Sequence, residues 1–394
     1  MISVSDALAR LQKHSSLRVS AEQCDLKQST GRVLASDIVA PLNVPPADNS
    51  AMDGYALRRG DWSDTNHTLP LSQRITAGTP PKPLEEGTAA RIFTGAEIPQ
   101  GADVVVMQEN CSAGENNVKI NQIGPLGSNI RPKGQDIRSG DTVLQAGQRL
   151  RPQDIGLIAS LGFATIDVMQ RLKVALVSTG SELVKPGRSI RPGQIYNSNH
   201  YMLDSLLRVW GFEVVDFGIT EDSPAALKKV MASASESADV IITTGGVSVG
   251  EEDHVKAVVE ELGQLDLWRV AIKPGKPFAF GRVGDAAFLG LPGNPVSAWV
   301  TLLVLGRDFL FDCQGSRGHS IVPIKQKALF EQNACGREVY IRVKYTDVGV
   351  EPFPQQSSGA LSSTVWGNAL AVQKPDVDIK QGELVDVIPY SQFY

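Results

Sequence analysis

Three loops in the middle of the chain combine glycines with hydroxyl, amide and carboxyl side chains, which are groups that bind ions. They read Val177-Ser-Thr-Gly-Ser-Glu-Leu183, Thr243-Thr-Gly-Gly-Val-Ser-Val-Gly-Glu-Glu-Asp-His254 and Leu289-Gly-Leu-Pro-Gly-Asn-Pro-Val-Ser297. Each loop follows an apolar run that is typical of a buried strand. Glycine lets the backbone turn sharply and lie close to a ligand, and free N–H groups at such turns attract oxyanions. Three loops of this kind indicate a single anionic ligand.

The acids in these loops have two interpretations. Glu182 could serve a ligand or could be a solvated loop residue, and its own loop does not distinguish the two. Glu251, Glu252 and Asp253 stand before a helix-like pattern, where acidic side chains commonly stabilise the positive end of the helix dipole. From the residues alone, these three acids are equivalent.

Two lysines stand on a stiff segment between the second and third loops, Ile272-Lys-Pro-Gly-Lys-Pro-Phe278. The prolines restrict the backbone beside Lys273 and Lys276. Two ammonium groups on a rigid connection can neutralise a phosphate or another oxyanion, although exposed lysines are more often simple surface residues. The proline spacing favours the anion-binding interpretation.

A separate polar loop lies nearer the amino terminus, in Pro45-Pro-Ala-Asp-Asn-Ser-Ala-Met-Asp-Gly-Tyr-Ala-Leu57. It contains Asp48 and Asp53 together with polar side chains and a glycine. A plain turn needs few functional groups, so we expect this loop to have a function. A second polar turn, Phe93 to Asp103, could face it, but by itself that turn is typical of a hairpin connection.

The elements that must position these loops differ along the chain. Near-continuous apolar runs alternate with amphipathic helical patterns in residues 172–314, which predicts a parallel, three-layered α/β domain. Such sheets bind ligands beyond the carboxyl ends of their strands, which is where the three loops lie.

Shorter patterns flank this domain. Residues 41–140 predict a β-rich insert, and residues 315–394 predict a small β-barrel or sandwich. Residues 1–40 and 141–171 predict a helical and linker domain. Its first helix places Val4, Ala7, Leu8 and Leu11 on one face behind a Ser3-x-x-Asp6 capping signature.

Composition excludes several classes of protein. The 394 residues include 38 Lys and Arg against 43 Asp and Glu, a formal charge of −5, with no basic block of the kind that tracks nucleic acid. No apolar stretch approaches the roughly 18 residues that a membrane span needs. The four cysteines are far apart and predict neither a disulfide framework nor a zinc site. We therefore expect a soluble cytoplasmic protein.

Six ordered motifs resemble those of one family. They are Pro45 to Ala56, Thr94-Gly with Gly101 to Glu109, Ser178 to Leu183, Thr244 to Gly250, Lys273 to Pro277 and Leu291 to Ser297. In this order they closely resemble the molybdopterin molybdenumtransferases, whose module also forms the E domain of gephyrin. The resemblance spans essentially the whole chain, with a looser match in the C-terminal domain.

The resemblance implies a multidomain α/β and β fold. Its parts are a three-layer α/β molybdopterin-binding domain with a parallel-rich sheet, a β-rich insert domain, a helical/linker domain and a C-terminal β-barrel-like domain. The implied reaction inserts molybdate into adenylylated molybdopterin, assisted by Mg²⁺, and releases AMP and molybdenum cofactor. The implied assembly is a homodimer in which the α/β domain of one subunit and the insert of the other share a cleft.

The resemblance also implies residue roles. Glu182, Asp222 and Asp253 would lie around the magnesium ion and the nucleotide or pterin, and Lys273 and Lys276 would bind molybdate or phosphate. These five residues and Asp53 would be the catalytic residues. Asp53 and Thr94 would close the cleft from the other subunit, with Asp136 nearby. The remaining substrate-binding residues are Ser178, Thr179, Gly180, Gly245, Gly246, Ser248, Pro292, Gly293, Asn294, Arg337 and Ser358.

Two other functions fit parts of the pattern. A cofactor-binding scaffold could keep the cleft without turnover, but the chain retains the acids and both lysines. A molybdopterin adenylyltransferase shares the α/β domain but would not need the flanking β domains. The adenylyltransferase and cofactor-accepting enzymes are possible protein partners of the transferase.

Overall fold

The computed structural model describes residues 1–63, 65, 67–246, 254–318 and 320–394, with Leu267 described by its backbone alone. These residues divide into two compact units. The first unit comprises residues 1–36, 147–151 and 165–394, and the second comprises residues 37–146 and 152–164. The four predicted domain boundaries stay a prediction.

The helices and strands of the described residues are numbered in chain order. The α-helices are α1 Val4–His14, α2 Pro152–Ser160, α3 Ser198–Val209, α4 Pro224–Ser237, α5 His254–Leu262, α6 Pro295–Thr301, α7 Arg307–Cys313 and α8 Ser362–Trp366. The first strands are β1 Ala21–Asp25, β2 Ile38–Val39, β3 Asn49–Ser50, β4 Gly54–Leu57, β5 Thr68–Ile75, β6 Ala89–Ile92, β7 Val104–Met107, β8 Cys111–Ala113, β9 Asn117–Ile120, β10 Ile130–Arg131, β11 Thr142–Leu144, β12 Thr165–Met169 and β13 Lys173–Thr179. The later strands are β14 Leu183–Val184, β15 Ile195–Tyr196, β16 Glu213–Thr220, β17 Val240–Thr244, β18 Gly263–Arg269, β19 Ile272–Lys273, β20 Pro277–Val283, β21 Ala286–Leu291, β22 Ile324–Lys327, β23 Glu338–Thr346, β24 Gly349–Pro352, β25 Ala369–Gln373 and β26 Leu384–Pro389.

A six-stranded sheet forms the centre of the first unit, in the order β16-β13-β17-β21-β20-β18. The first four strands run parallel, as predicted, so their carboxyl ends meet at one edge. The strands β20 and β18 pair antiparallel and extend the sheet, a feature that the apolar pattern did not predict. The prediction of a parallel-rich α/β sheet is confirmed.

Helices cover both faces of this sheet, which explains its near-continuous apolar strands. In β13, Val174 and Leu176 pack into one core with α1, α3, α6 and α7, whereas Ala175 and Val177 pack into another with α4 and α5. Alternate residues of a strand point to opposite faces, so a strand buried on both faces must be apolar throughout. The three-layer arrangement is therefore confirmed.

The first helix, α1, belongs to the first of these cores. Ser3 accepts a hydrogen bond from the Asp6 backbone N–H at 3.0 Å, the predicted capping contact, which satisfies a free donor at the helix start. Val4, Ala7 and Leu11 are buried on its packed face. The capped amphipathic helix predicted from the sequence is confirmed.

The C-terminal part of the first unit is a second sheet, in the order β19-β23-β25-β26-β22, with β24 paired to β23. The short strand β19 carries Lys273 and pairs parallel with the start of β23 through Ile272 opposite Glu338. This pairing brings residues about 65 positions apart in the chain to neighbouring places.

The second unit contains the sheet β7-β4-β6-β5-β9-β8, with buried residues on both of its faces. Gly54 begins β4, between the partner strands β6 and β7. A Cβ atom at Gly54 would overlap the Val106 carbonyl oxygen, so glycine is needed for this close pairing. The predicted β-rich character of this region is confirmed.

None of the helices in the described residues is both long enough and apolar enough to cross a bilayer.

Candidate anion-binding site

A cavity of about 700 Å³ lies in the first unit, at the carboxyl ends of β17 and β21. Its four walls come from five separate chain segments, which contribute glycines, prolines, polar side chains and three cations. The lining residues are Gly245, Gly246, Lys273, Pro274, Gly275, Lys276, Pro277, Pro292, Gly293, Asn294, Ser297, Arg337, Gln356, Ser357 and Ser358.

The first wall is the pair of glycines that follows β17. Gly245 and Gly246 have φ values of +86° and +66°, a left-handed conformation that glycine adopts at little cost. A Cβ atom at Gly245 would lie 2.9 Å from the Thr179 carbonyl oxygen, and one at Gly246 would overlap Val255. The predicted sharp turn is present, and the glycines are needed for packing against neighbouring chain segments as well as for any approach to a ligand.

The second wall follows β21 and contains Pro292, Gly293 and Asn294. The Gly245 N–H donates to the Leu291 carbonyl at 3.2 Å, which joins this wall to the first. The side-chain Nδ2 of Asn199, a buried residue on α3, donates to the Gly293 carbonyl at 2.7 Å. Asn199 therefore holds the loop in place without lining the cavity itself.

The third wall is the lysine segment between β19 and β20. The Val270 N–H donates to the Lys276 carbonyl at 3.0 Å, and Gly275 turns with φ +97°. Both lysine side chains are exposed. Pro274 is buried whereas both ammonium groups are exposed, which agrees with the cationic connection that was predicted from the prolines of the segment.

The fourth wall comes from the C-terminal sheet. Arg337 immediately precedes β23, next to the lysine segment through the pairing of β19 with β23. Ser358 reaches the cavity on a loop whose carbonyl accepts from the Val296 N–H of α6 at 3.0 Å. The structure therefore brings Arg337 and Ser358 to the same cavity as Lys273, Lys276 and the glycine loops.

The charge of the cavity is one-sided. Lys273, Lys276 and Arg337 line it, and none of its described lining residues is acidic. Within the described ranges, none of these three cations forms an ion pair with a carboxylate. Glu338, the acid next to Arg337, contacts the Tyr340 hydroxyl at 2.6 Å and Lys374 at 3.6 Å. Three cations without a carboxylate partner in the described chain, beside the hydroxyl groups of Ser297, Ser357 and Ser358, can bind a small oxyanion.

Other predicted residues lie at the end of β13, outside the cavity lining. Ser178 and Thr179 are buried, and the Thr179 hydroxyl donates to the Thr244 carbonyl at 3.5 Å. A Cβ atom at Gly180 would lie 2.5 Å from a Glu182 carboxylate oxygen, so the glycine leaves room for that side chain. Their role in substrate binding stays a prediction.

The acids predicted to bind a metal follow adjacent strands. Glu182 comes shortly after β13 and Asp222 shortly after β16, and the parallel pairing aligns Thr179 with Thr220 at their ends. Both acids are exposed. Asp253 and Ser248 lie outside the described residues. Among residues 1–63, 65, 67–246, 254–318 and 320–394, no three His, Cys, Asp or Glu side chains form a group that could hold a metal ion.

Asp53 and Thr94 form a hydrogen-bonded pair in the second unit. One Asp53 carboxylate oxygen accepts from the Thr94 N–H at 2.7 Å and from the Thr94 hydroxyl at 2.8 Å. Both bonds lower the pKa of Asp53 below its ordinary value of 3.8, and the bond from the backbone N–H has the larger effect. Asp136 is exposed, and its N–H donates to the Val44 carbonyl at 3.0 Å. The Asp53 carboxylate is therefore ionised and fixed in orientation.

Sequence reasoning missed several residues of the cavity. Ser297, Gln356 and Ser357 line it, and Asn199 supports one of its loops. The stretch Phe353-Pro-Gln-Gln-Ser-Ser-Gly359 has the proline, glycine and hydroxyl content of a polar turn, which could have drawn attention to Gln356 and Ser357. Asn199 gave no such signal, because a single amide in a helical pattern is common.

Three family models match the chain in order. Residues 2–162 match the "MoeA N-terminal region (domain I and II)", residues 175–312 a "probable molybdopterin binding domain", and residues 332–390 the "MoeA C-terminal region (domain IV)". Together these regions include every described segment that lines the cavity.

Curated proteins are similar over nearly the same length. The molybdopterin molybdenumtransferase of Haemophilus influenzae is 37% identical over 401 residues, covering 99% of each chain. The molybdopterin molybdenumtransferase of a Nostoc species is 37% identical over 368 residues, covering 89% of this chain and 84% of its own. Among solved structures, the molybdopterin biosynthesis moeA protein of Pyrococcus horikoshii superposes with a TM-score of 0.86 at 27% identity, covering 99% of this chain and 100% of its own.

Proposed function

Since the chain belongs to the molybdopterin molybdenumtransferase family, we propose that it inserts molybdate into adenylylated molybdopterin and releases AMP. The observation that carries this proposal is the cavity lined by Lys273, Lys276 and Arg337 without a described acid. Molybdate is a tetrahedral dianion, and the bond broken to release AMP lies between anionic groups. Both need positive charge and directed donors at fixed positions.

We assign the binding of molybdate to the cationic wall of the cavity, which Lys273, Lys276 and Arg337 form. The two lysines supply point charges, while Arg337 supplies a planar group with several N–H donors. Ser358 and the backbone N–H groups of the Gly293 loop are suited to orient the oxyanion. The lysine side chains are exposed, so their attraction for the anion is screened by salt and should weaken at high ionic strength.

We further propose that Mg²⁺ is held by Glu182, Asp222 and Asp253. Carboxylate oxygens are the ligands this hard cation prefers, and Glu182 and Asp222 follow neighbouring parallel strands. The described residues do not form a three-donor group by themselves, so the proposal depends on Asp253. When bound, the ion would neutralise charge on the phosphate oxygens. The three carboxylates would fix the position of the ion, and the positive charge of the two lysines would keep cations away from the oxyanion site.

We also propose a homodimer in which Asp53 and Thr94, with Asp136 nearby, complete the site of a partner subunit. The support is the fixed, ionised Asp53 carboxylate, which a surface turn would not require. From the family alone, we propose that the protein acts in the cytoplasm and passes its product to cofactor-accepting enzymes, with the adenylyltransferase as a further partner. The scaffold and adenylyltransferase functions are not favoured, since full-length relatives are named as the transferase.

The decisive experiment supplies purified protein with adenylylated molybdopterin, Mg²⁺ and molybdate and measures AMP and active cofactor. Molybdate-dependent AMP release is expected. In the variant Lys273→Ala plus Lys276→Ala we expect the apparent affinity for molybdate to fall about tenfold to a hundredfold, since each lost contact is a hydrogen bond to a charged group.

The matched control is Lys228→Ala, which removes an exposed lysine that pairs with Glu261 away from the cavity. It should leave the molybdate dependence unchanged. Tight binding of the adenylylated substrate without AMP release would contradict the transferase proposal. An unchanged molybdate dependence in the double lysine variant would remove the lysines from the site.

A further inference from the structure

A buried arginine lies behind the loop that forms the fourth wall of the cavity. Arg342 is only 1% exposed and stands on β23. The strand alternates, with Val339, Ile341 and Val343 in the core of the C-terminal sheet and Tyr340 in the larger core of the α/β sheet. Arg342 shares the face of Tyr340, where an apolar residue would be expected.

The guanidinium of Arg342 makes three hydrogen bonds, all to neutral oxygens. Its Nε donates to the Ser363 hydroxyl at 3.1 Å, Nη1 to the Tyr340 carbonyl at 3.3 Å and Nη2 to the Ser357 carbonyl at 3.2 Å. No carboxylate of the described chain forms an ion pair with it. Burial lowers the pKa of the Arg342 guanidinium to about 10, which still leaves it charged at neutral pH. Arg342 is therefore a buried cation without an anionic partner in the described chain.

The backbone of Arg342 holds the same loop. The Arg342 N–H donates to Gln356 Oε1 at 3.0 Å, and Gln356 Nε2 donates to the Arg342 carbonyl at 2.9 Å. The same Nε2 also donates to the Phe353 carbonyl at 2.9 Å. Together with the bond to Ser357, these contacts hold the first two residues of the segment Gln356–Ser358, all three residues of which line the cavity.

A buried charge without an opposite charge nearby is costly, because it has been removed from water and nothing offsets that loss. The acid nearest in sequence, Glu338, contacts the Tyr340 hydroxyl and Lys374 instead. The open side of the segment that Arg342 supports faces a cavity already lined by three cations. A bound dianion is the counter-charge that this arrangement lacks.

We propose that Arg342 is a positioning residue of the oxyanion site. Its guanidinium holds the Ser357 carbonyl, and through it the segment Gln356–Ser358, in the geometry that binds the anion, and its buried charge adds to the positive potential of the cavity. The inference rests on the proposed function, because it assigns the anion as molybdate. It predicts that changes at Arg342 act on molybdate affinity more than on the maximal rate.

The test compares Arg342→Gln and Arg342→Lys with the wild-type full chain. Molybdate binding is measured by calorimetry, and AMP release is measured over a range of molybdate concentrations. For Arg342→Gln we expect the dissociation constant and KM for molybdate to rise about tenfold or more, the size of effect seen when supporting residues of a ligand site are removed. The kcat at saturating molybdate should change much less. Arg342→Lys keeps the charge but not the three bonds, so its affinity for molybdate should lie between those of the wild type and Arg342→Gln.

The matched control is Arg307→Gln, which removes another largely buried arginine of the first unit, one that pairs with Asp308. It should reduce thermal stability without changing molybdate affinity. If Arg342→Gln does not fold, Ser363→Ala removes the acceptor of Arg342 Nε and should weaken molybdate binding about threefold, a smaller loss because one bond of three is removed.

The outcomes separate this inference from the proposed function. If the wild-type protein binds no molybdate, the proposed function fails. Suppose that the wild-type protein binds molybdate and that a folded Arg342→Gln variant binds it equally well. Only the role of Arg342 is then overturned, and the same holds for Ser363→Ala if that variant is used instead. A loss of kcat with unchanged molybdate affinity would also overturn it, because that result describes a general structural role.

Discussion

At the scale of single residues, the chemistry depends on how the charged groups are partnered. Lys273, Lys276 and Arg337 lack carboxylate partners in the described chain, so their charge is available to a ligand. Asp53 has the opposite arrangement, since two donors from Thr94 hold it. The cationic wall is thus suited to bind an anion, whereas the Asp53 carboxylate is oriented before any ligand arrives.

The Asp53–Thr94 pair makes a prediction about pH. The pKa of Asp53 is lowered in the folded chain, so the pair contributes stability above the ordinary value of 3.8 and loses it as pH falls through the lower folded value. Thr94→Val removes the hydroxyl donor and keeps the backbone N–H donor, which is the larger cause of the lowered pKa. We expect the pKa of Asp53 to rise towards 3.8 without passing it, as measured by NMR titration of the carboxyl carbon.

The control for this titration is Thr76→Val, which removes a hydroxyl that contacts Thr79 in the same unit. It should leave the Asp53 titration unchanged. An identical Asp53 titration in Thr94→Val and wild type would show that the hydroxyl bond does not act on the carboxylate. Because Asp53 is ionised throughout the range near neutrality, it should not cause a change in rate between about pH 5 and pH 8.

At the scale of elements, close strand pairing determines where the polar loops lie. Gly54 follows Asp53 directly and begins the strand β4 between two partners. The absence of a side chain at Gly54 allows the Val106 carbonyl to approach. The position of the Asp53 carboxylate thus depends on a backbone contact of the next residue.

This contact predicts the effect of Gly54→Ala. A Cβ atom there would overlap backbone atoms of β7, which cannot move without breaking the sheet. We expect the variant to lose about 3 kcal/mol or more of stability, at the upper end of overpacking effects. Scanning calorimetry of the full chain measures the loss.

Gly60→Ala is the matched control, because a Cβ atom at Gly60 would meet no atom within 4 Å. Its stability should stay within about 0.5 kcal/mol of wild type, as for most surface changes. Equal transition temperatures for Gly54→Ala and wild type would contradict the close approach of β4 and β7.

At the scale of the whole molecule, the chain concentrates positive charge in one cavity although its formal charge is −5. Local charge in a concave site governs the binding of a small ion more than net charge does. The proposed homodimer adds residues of the second unit to this site from another subunit. That proposal is testable without a structure of the dimer.

Subunit mixing provides the test. Asp53→Asn and Lys276→Ala subunits, each of low activity alone, are mixed under conditions that exchange subunits. If the site is shared, half of the randomly formed dimers carry one intact site, so about a quarter of wild-type AMP release should return. Mixing Lys273→Ala with Lys276→Ala is the control and should restore nothing. Activity no greater than the sum of the two variants would contradict a shared site.

Much of the fold follows from local patterns. The runs in β13 and β17 are apolar on both faces, and this periodicity predicted a parallel-rich sheet with its loops at one edge. The cap of α1 at Ser3 was likewise predicted from a local pattern, the Ser3-x-x-Asp6 signature. The antiparallel strands β18 and β20 were missed because periodicity describes which faces are buried but not the direction of a partner strand.

The sequence by itself determined the family, the α/β sheet and the loops around Gly245, Gly293 and the two lysines. The resemblance named Arg337 and Ser358, but only the tertiary structure shows that they line one cavity with those loops, through the two-residue strand β19 and its partner β23. It also decided that Arg342 is buried behind Ser357. A two-residue pairing leaves no periodic signal, and a charged residue in an alternating strand is normally read as exposed. Long-range contacts of this kind depend on the packing of the whole unit, which no local pattern encodes.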